Sequence, residues 1–83
     1  MAEVKNLNGI SIRITSSTGT PASFHVVQAS GVAVIEISSL KVVHSTLPSS
    51  VLNQVIQWAQ TRKAALSQEW TRAINGQIPR RIS

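Results

Sequence analysis

Between Pro48 and Gly76 the chain carries neither glycine nor proline, and across that stretch its apolar residues keep one helical phase. At 100° per residue, Val51, Leu52, Val55, Ile56, Ala59, Leu66, Trp70, Ala73 and Ile74 fall in a single stripe. Proline suits a first helical turn and glycine suits the residue just past the last, so the spacing predicts one helix over 48–75. At about 1.5 Å per residue this helix is about 42 Å long, whereas a compact domain of this size is about 30 Å across. It is therefore expected to overhang its own domain. Gln57, Gln60, Thr61, Gln68 and Thr71 cover the outside, and Trp58 and Ala65 lie beside the stripe. Arg62 falls within the stripe, so its stem is expected to run along apolar surface with its head at solvent or on an acid.

The first half shows a different period. Ile10, Ile12 and Ile14 alternate with polar residues, which predicts a strand over 9–15 with one wet face. Residues 16–22 are small and polar with Gly19 and Pro21, an exposed loop. A second strand over 23–28 sets Phe24 and Val26 on one face, with Ser23, His25 and Val27 on the other. Ala29-Ser30-Gly31 is a hairpin connection. Residues 32–37 are apolar on both sides, as a strand covered on two faces would be, and Ser38-Ser39 leads to a further strand over 40–43. The fold class expected is α+β, a three- to four-stranded antiparallel meander packed against one long C-terminal α-helix. Residues 1–83 form a single domain, and the tail over 77–83 is extended.

With 42% hydrophobic and 13% charged residues, the chain is neither disordered nor a coiled coil. Its 83 residues build a thin core, so a second copy is a natural packing partner. A homodimer is expected, joined helix to helix or edge strand to edge strand, with a contact that includes the C-terminal half of the helix favoured. The absence of cysteine excludes a disulfide framework, a thiolate nucleophile and a zinc ribbon. Two histidines and three acids make no dedicated metal site, and no cofactor is expected. No apolar run reaches the roughly 18 residues that span a bilayer, and the first residues lack the apolar core of a signal peptide. A cytoplasmic protein without membrane attachment is expected. The net charge is +5, with Arg62, Lys63, Arg72, Arg80 and Arg81 in the last part of the chain. Any affinity for nucleic acid should be weak and salt-sensitive, because counterion release rather than base reading would drive it.

For chemistry the material is sparse. There is no Gly-x-Ser-x-Gly elbow, and Gly9, Gly19, Gly31 and Gly76 stand singly at element boundaries rather than in a phosphate-cradling loop. No catalytic residue is assigned, and the chain reads as a non-enzyme. The binding candidates are His25 on its strand, Arg62 and Trp70 on the helix, and Arg80 and Arg81 in the tail. His25 reads as a structural or contact residue, His44 as a solvated residue at a strand end, and the tail arginines as solvated.

The order of short cues resembles a family. Gly9-Ile10-Ser11-Ile12-Arg13, Pro21 before Phe24-His25-Val26, Ala33-Val34-Ile35, Leu40-Lys41-Val42, Leu47-Pro48, Val55, Trp58-Ala59, Leu66, Trp70, Ala73 and Gly76 together are similar to the bacterial family of unknown function numbered 4160. The family typically has Pro-Pro-His-Phe-His-Val where this chain has Pro21-Ala22-Ser23-Phe24-His25-Val26, and a histidine where this chain has Arg62. Acids common before Pro21 are absent from residues 16–20. If the family uses a histidine cluster, only His25 of it is carried over. The resemblance implies a small protein encoded beside another short protein, an arrangement similar to toxin-antitoxin pairs or mobile-element cargo. The expected function is therefore an interaction module that pairs with itself and with a small protein partner encoded nearby. The alternative is an RNA-acting toxin or small hydrolase using His25.

Overall fold

Ile10, Ile12 and Ile14 are all buried, as their alternation requires, and they belong to the second of five strands. The computed structural model describes residues 2–14 and 21–82. Its strands are β1 (Ala2–Leu7), β2 (Ile10–Ile14), β3 (Ser23–Gln28), β4 (Gly31–Glu36) and β5 (Val42–Ser45), followed by helices α1 (Ser49–Gln60) and α2 (Lys63–Ile74). The strands form one antiparallel sheet in chain order, and the fold class is α+β. Most of the loop expected over 16–22, and Ser83, lie outside the described residues.

Two expectations need correction. The sheet has five strands rather than three or four, because the chain forms β1 ahead of the first strand expected. Asn8 and Gly9, at φ 52° and 93°, make the two-residue turn that joins β1 to β2, with Leu7 opposite Ile10. Both central residues of such a turn need positive φ, which Asn-Gly supplies at least cost. β1 shows no clean period of two, because a bulge between Glu3 and Lys5 sets one extra residue against Ile12. That bulge turns Val4 into the core with no exposed surface, and it puts Glu3 and Asn6, three residues apart, on the same outer face.

The single long helix is the second correction. The chain breaks at Thr61 and Arg62 into two helices of 12 residues each, without glycine or proline. Each half is about 18 Å long, close to the width of five strands spaced about 4.8 Å apart, so both lie over the sheet and neither overhangs. The molecule measures 33 × 24 × 23 Å, too short to hold the undivided rod. Arg62 secures the break. Its Nη1 donates to the Trp58 carbonyl at 3.0 Å and to Thr61 Oγ1 at 3.0 Å, and its guanidinium carbon lies 5.3 Å from the centroid of the Trp58 ring. A cation on the terminal carbonyls of α1 also suits the negative end of that helix. α2 then restarts with Leu66 N–H on the Arg62 carbonyl at 2.9 Å.

α1 and α2 cover one face of the sheet. Phe24, Val26, Ile12, Ile35 and Val4 meet Val55, Leu66, Trp58 and Ala73 in one core. β4 is therefore covered on one face only: Ala33, Ile35 and Ile37 are buried, but Val32 is 43% exposed and Val34 half-buried. α2 ends at Ile74 and is closed by Gly76 (φ 80°) just beyond it, whose N–H reaches the Ala73 carbonyl while that of Gln77 reaches the Arg72 carbonyl. The tail then returns to the sheet. Ile82 is buried, and its N–H donates to the Val4 carbonyl at 2.7 Å, along the outer edge of β1.

Candidate binding face of the sheet

Strand register decides which side chains meet on the face away from the helices. Glu3 pairs with Arg13, Arg13 with His25, His25 with Val34 and Val34 with His44, so one row crosses all five strands. Next to it runs a row of Asn6, Ser11, Val27 and Val32. His25 projects to this side because Phe24 and Val26, its chain neighbours, are fully buried on the other.

The acidic end of the row is built up by hydrogen bonds. Ser11 Oγ donates to Glu3 Oε2 at 2.5 Å and accepts from Arg13 Nε at 2.9 Å. Ser11 is only 6% exposed, so its hydroxyl is a buried link between a carboxylate and a guanidinium. Glu3 Oε1 takes Arg81 Nη2 at 2.9 Å. The Ser11 hydrogen bond, followed by Asn6 and Arg81, holds the Glu3 carboxyl below its ordinary range.

His25 is half-buried, and loss of solvent pushes its imidazole below the ordinary histidine value, leaving it neutral at physiological pH. No described acid orients it. Arg13 stands between His25 and Glu3, and Glu36, diagonal to His25, turns its Oε1 to the hydroxyls of Ser39 at 3.0 Å and Ser38 at 3.4 Å. His44 is exposed and lies two strands from His25, with Val34 between them. Among the described residues there is no group of three or more histidines, cysteines or acids placed to hold a metal ion.

The other candidates fall elsewhere. Arg62 is at the helix break on Trp58, and Trp70 is half-buried on α2. Arg80 and Arg81 are exposed, but both are tied to acids: Arg80 to Glu69 by a backbone N–H at 2.6 Å and a guanidinium at 3.6 Å, and Arg81 to Glu3. Glu69, 4% exposed and also 3.4 Å from Arg72 Nε, is the buried anion that fixes the tail on α2. The tail arginines are thus both exposed and paired within the chain. His25 and Arg81 stand at opposite ends of one row, Arg81 on Glu3 and His25 opposite Arg13, joined by the Glu3–Ser11–Arg13 hydrogen bonds. Sequence reasoning overlooked Arg13, Ser11 and Glu3. The alternation that reveals β2 also puts Arg13 and Ser11 on its wet side, but the Asn8-Gly9 turn was needed to bring Glu3 opposite them.

Fold and face together define a two-layer domain with one sheet surface that no described helix covers. Residues 9–71, which span this sheet from β2 onward and most of the helical layer, match the family described as a domain of unknown function, DUF4160, and the chain belongs to that family. No curated protein and no solved structure matches the chain. No described helix is long and apolar enough to cross a membrane.

Proposed function

We propose that this protein is a non-catalytic, cytoplasmic interaction module that docks a small protein partner on the open face of its sheet and pairs with a second copy of itself. The observation that carries this reading is the uncovered face: an antiparallel sheet with helices on one side only, whose other side presents Arg13, His25 and His44 among Val27, Val32 and Val34. A half-apolar surface with a few fixed polar groups is what a protein partner needs. Trp70 and Ile74, one turn apart on α2, with Ile78 exposed in the segment that follows, support self-association at the end of the second helix. The partner is the product of a neighbouring short reading frame, as in toxin-antitoxin pairs or mobile-element cargo. Co-expression with that frame should give a stoichiometric complex, and His25→Glu together with Val34→Glu should abolish it without unfolding the chain. Sedimentation velocity at tens of micromolar should show a dimer; a monomer throughout would remove the self-association half of the proposal.

The second reading is an RNA-acting protein with His25 as its base, favoured by the guanidinium directly across from that imidazole. General acid-base work needs a second group to orient the ring or carry the other proton, and the nearest acids are engaged elsewhere. Ribonuclease activity that disappears in His25→Ala while the melting temperature is unchanged would establish this reading over the first.

A further inference from the structure

We propose that Arg13, with His25 opposite it, is an oxyanion site that receives a carboxylate from an acidic segment of a protein partner. This inference rests on the interaction-module reading and names the chemistry of its contact.

Arg13 is held at Nε by a hydroxyl and makes no direct ion pair with a described acid. Its Nε is taken by the buried Ser11 hydroxyl at 2.9 Å, and Ser11 is in turn held by Glu3, whose other oxygen is held by Arg81. With Nε taken by Ser11, Nη1 and Nη2 are the nitrogens left to bind a ligand, and together they form the end-on fork that can receive two carboxylate oxygens. The ion pairs of the described residues join Arg72 and Arg80 to Glu69 and Arg81 to Glu3, and none of the described acids lies within ion-pair distance of Arg13. Glu3 thus makes its direct ion pair with Arg81 and reaches Arg13 only through the Ser11 hydroxyl, which leaves the Arg13 guanidinium without a directly bound carboxylate among the described residues. His25, half-buried and neutral, adds a ring N–H beside the fork without a second full charge.

The surroundings select the ligand. Val27, Val32 and Val34 flank the pair, and the aromatic residues lie elsewhere: Phe24 and Trp58 in the core, Trp70 on α2. Single-stranded nucleic acid gains much of its affinity from bases stacked on aromatic side chains, and this face has no Phe, Tyr or Trp among the described residues. Aliphatic contacts around one forked cation fit an acidic peptide segment.

The test is an NMR titration of the full chain, labelled so that Arg13 Nε–Hε and the His25 ring are observed. The probes are a short N-acetylated polyglutamate peptide, inorganic phosphate and a short oligouridylate. The peptide should give saturable shifts centred on Arg13 and His25. Arg13→Gln should weaken it about tenfold or more, since bonds to charged groups are worth more than neutral ones. Arg13→Lys should weaken it nearly as much, because the charge stays but the fork is lost. Ser11→Ala should weaken it several-fold by freeing Nε. Linear shifts shared with Lys5, Lys41 and Lys63, or full binding retained in Arg13→Lys, would overturn the site. So would saturation by oligouridylate or phosphate without saturation by the peptide. Should Arg13→Gln unfold, Arg13→Lys and Ser11→Ala still decide. If the co-expressed partner binds Arg13→Gln unchanged, this site falls and the interaction-module reading stands; if the peptide saturates but no partner is found, the reverse holds.

Discussion

His25 and Glu3 give the sheet face two separate pH dependences of the same sign. Half-burial disfavours the imidazolium in the folded chain, so between the folded value and the ordinary 6.5 the unfolded chain binds more protons. Stability is therefore complete above about pH 6.5 and declines as pH falls from there through the folded value. Glu3, lowered from 4.5 mainly by the Ser11 hydroxyl, contributes stability above about pH 4.5 that is lost as pH drops through its own folded value. Urea midpoints followed with pH should show both declines; His25→Gln should flatten the upper one and Glu3→Gln the lower, each without affecting the other. Gly31 illustrates a different constraint on a single residue. A Cβ there would press on Thr46 Oγ1 and come within 3.1 Å of the Thr46 carbonyl oxygen, and that hydroxyl already accepts the Val32 N–H at 3.0 Å. Gly31→Ala should cost about 1–3 kcal/mol through overpacking at the β4–β5 crossing. A thermal melt should read this as a fall of several degrees or more for a chain of this size.

At the level of elements, the helical half shows how a correct pattern can still misplace an element. Of the stripe from Val51 to Ile74, Val51, Val55, Ala59, Leu66 and Ala73 are buried in the core, Leu52, Ile56 and Trp70 are half-buried and Ile74 is exposed. What the stripe does not carry is a stop at Thr61, because the break is made by Arg62 folding back on Trp58 rather than by a breaker residue. Arg62 inside an otherwise apolar stripe was the one visible sign of it. α1 also begins without a side-chain cap: Pro48 stands at the N-cap position with φ −64° and ψ 152°, and no acid lies in the first turn. Pro48→Asp keeps that extended backbone and adds both a cap and a charge at the positive end of the helix. The cap is worth about 1 kcal/mol and the charge about 0.3–1, against about 0.4–1 lost through a freer unfolded chain. The net expectation is stabilisation by roughly 0.5–1 kcal/mol, seen as a rise of a few degrees in melting temperature.

For the whole molecule, the two edges of the sheet are treated differently. β5 is four residues long and bulged against β4 between Val34 and Ile35, which blunts it as a template for further pairing. β1 is instead closed by the returning tail, through Ile82 on Val4 and Arg81 on Glu3. Ile82→Asp should therefore do two things. It removes about 1.5–3 kcal/mol of apolar burial, and it frees the β1 edge. The expected outcome is a lower denaturation midpoint together with concentration-dependent aggregation on size-exclusion chromatography. A loss of stability with a wholly monodisperse profile would show that the tail packs the core without protecting the edge.

The α+β class, the positions of β2 and β3, the core face of the helices and the outward placement of His25 were all legible in the sequence, because each depends on a local period that needs no partner to be read. β1 was hidden because a bulge cancels its alternation, although Asn8-Gly9 announced the turn that makes it pair. The helix break, the docking of Arg80 on Glu69 and the row from Glu3 to His44 were decided by tertiary structure. Each depends on groups far apart in the chain meeting across a finite sheet: a rod had to be divided to cover that sheet, and register alone set an arginine from one strand against a histidine from the next.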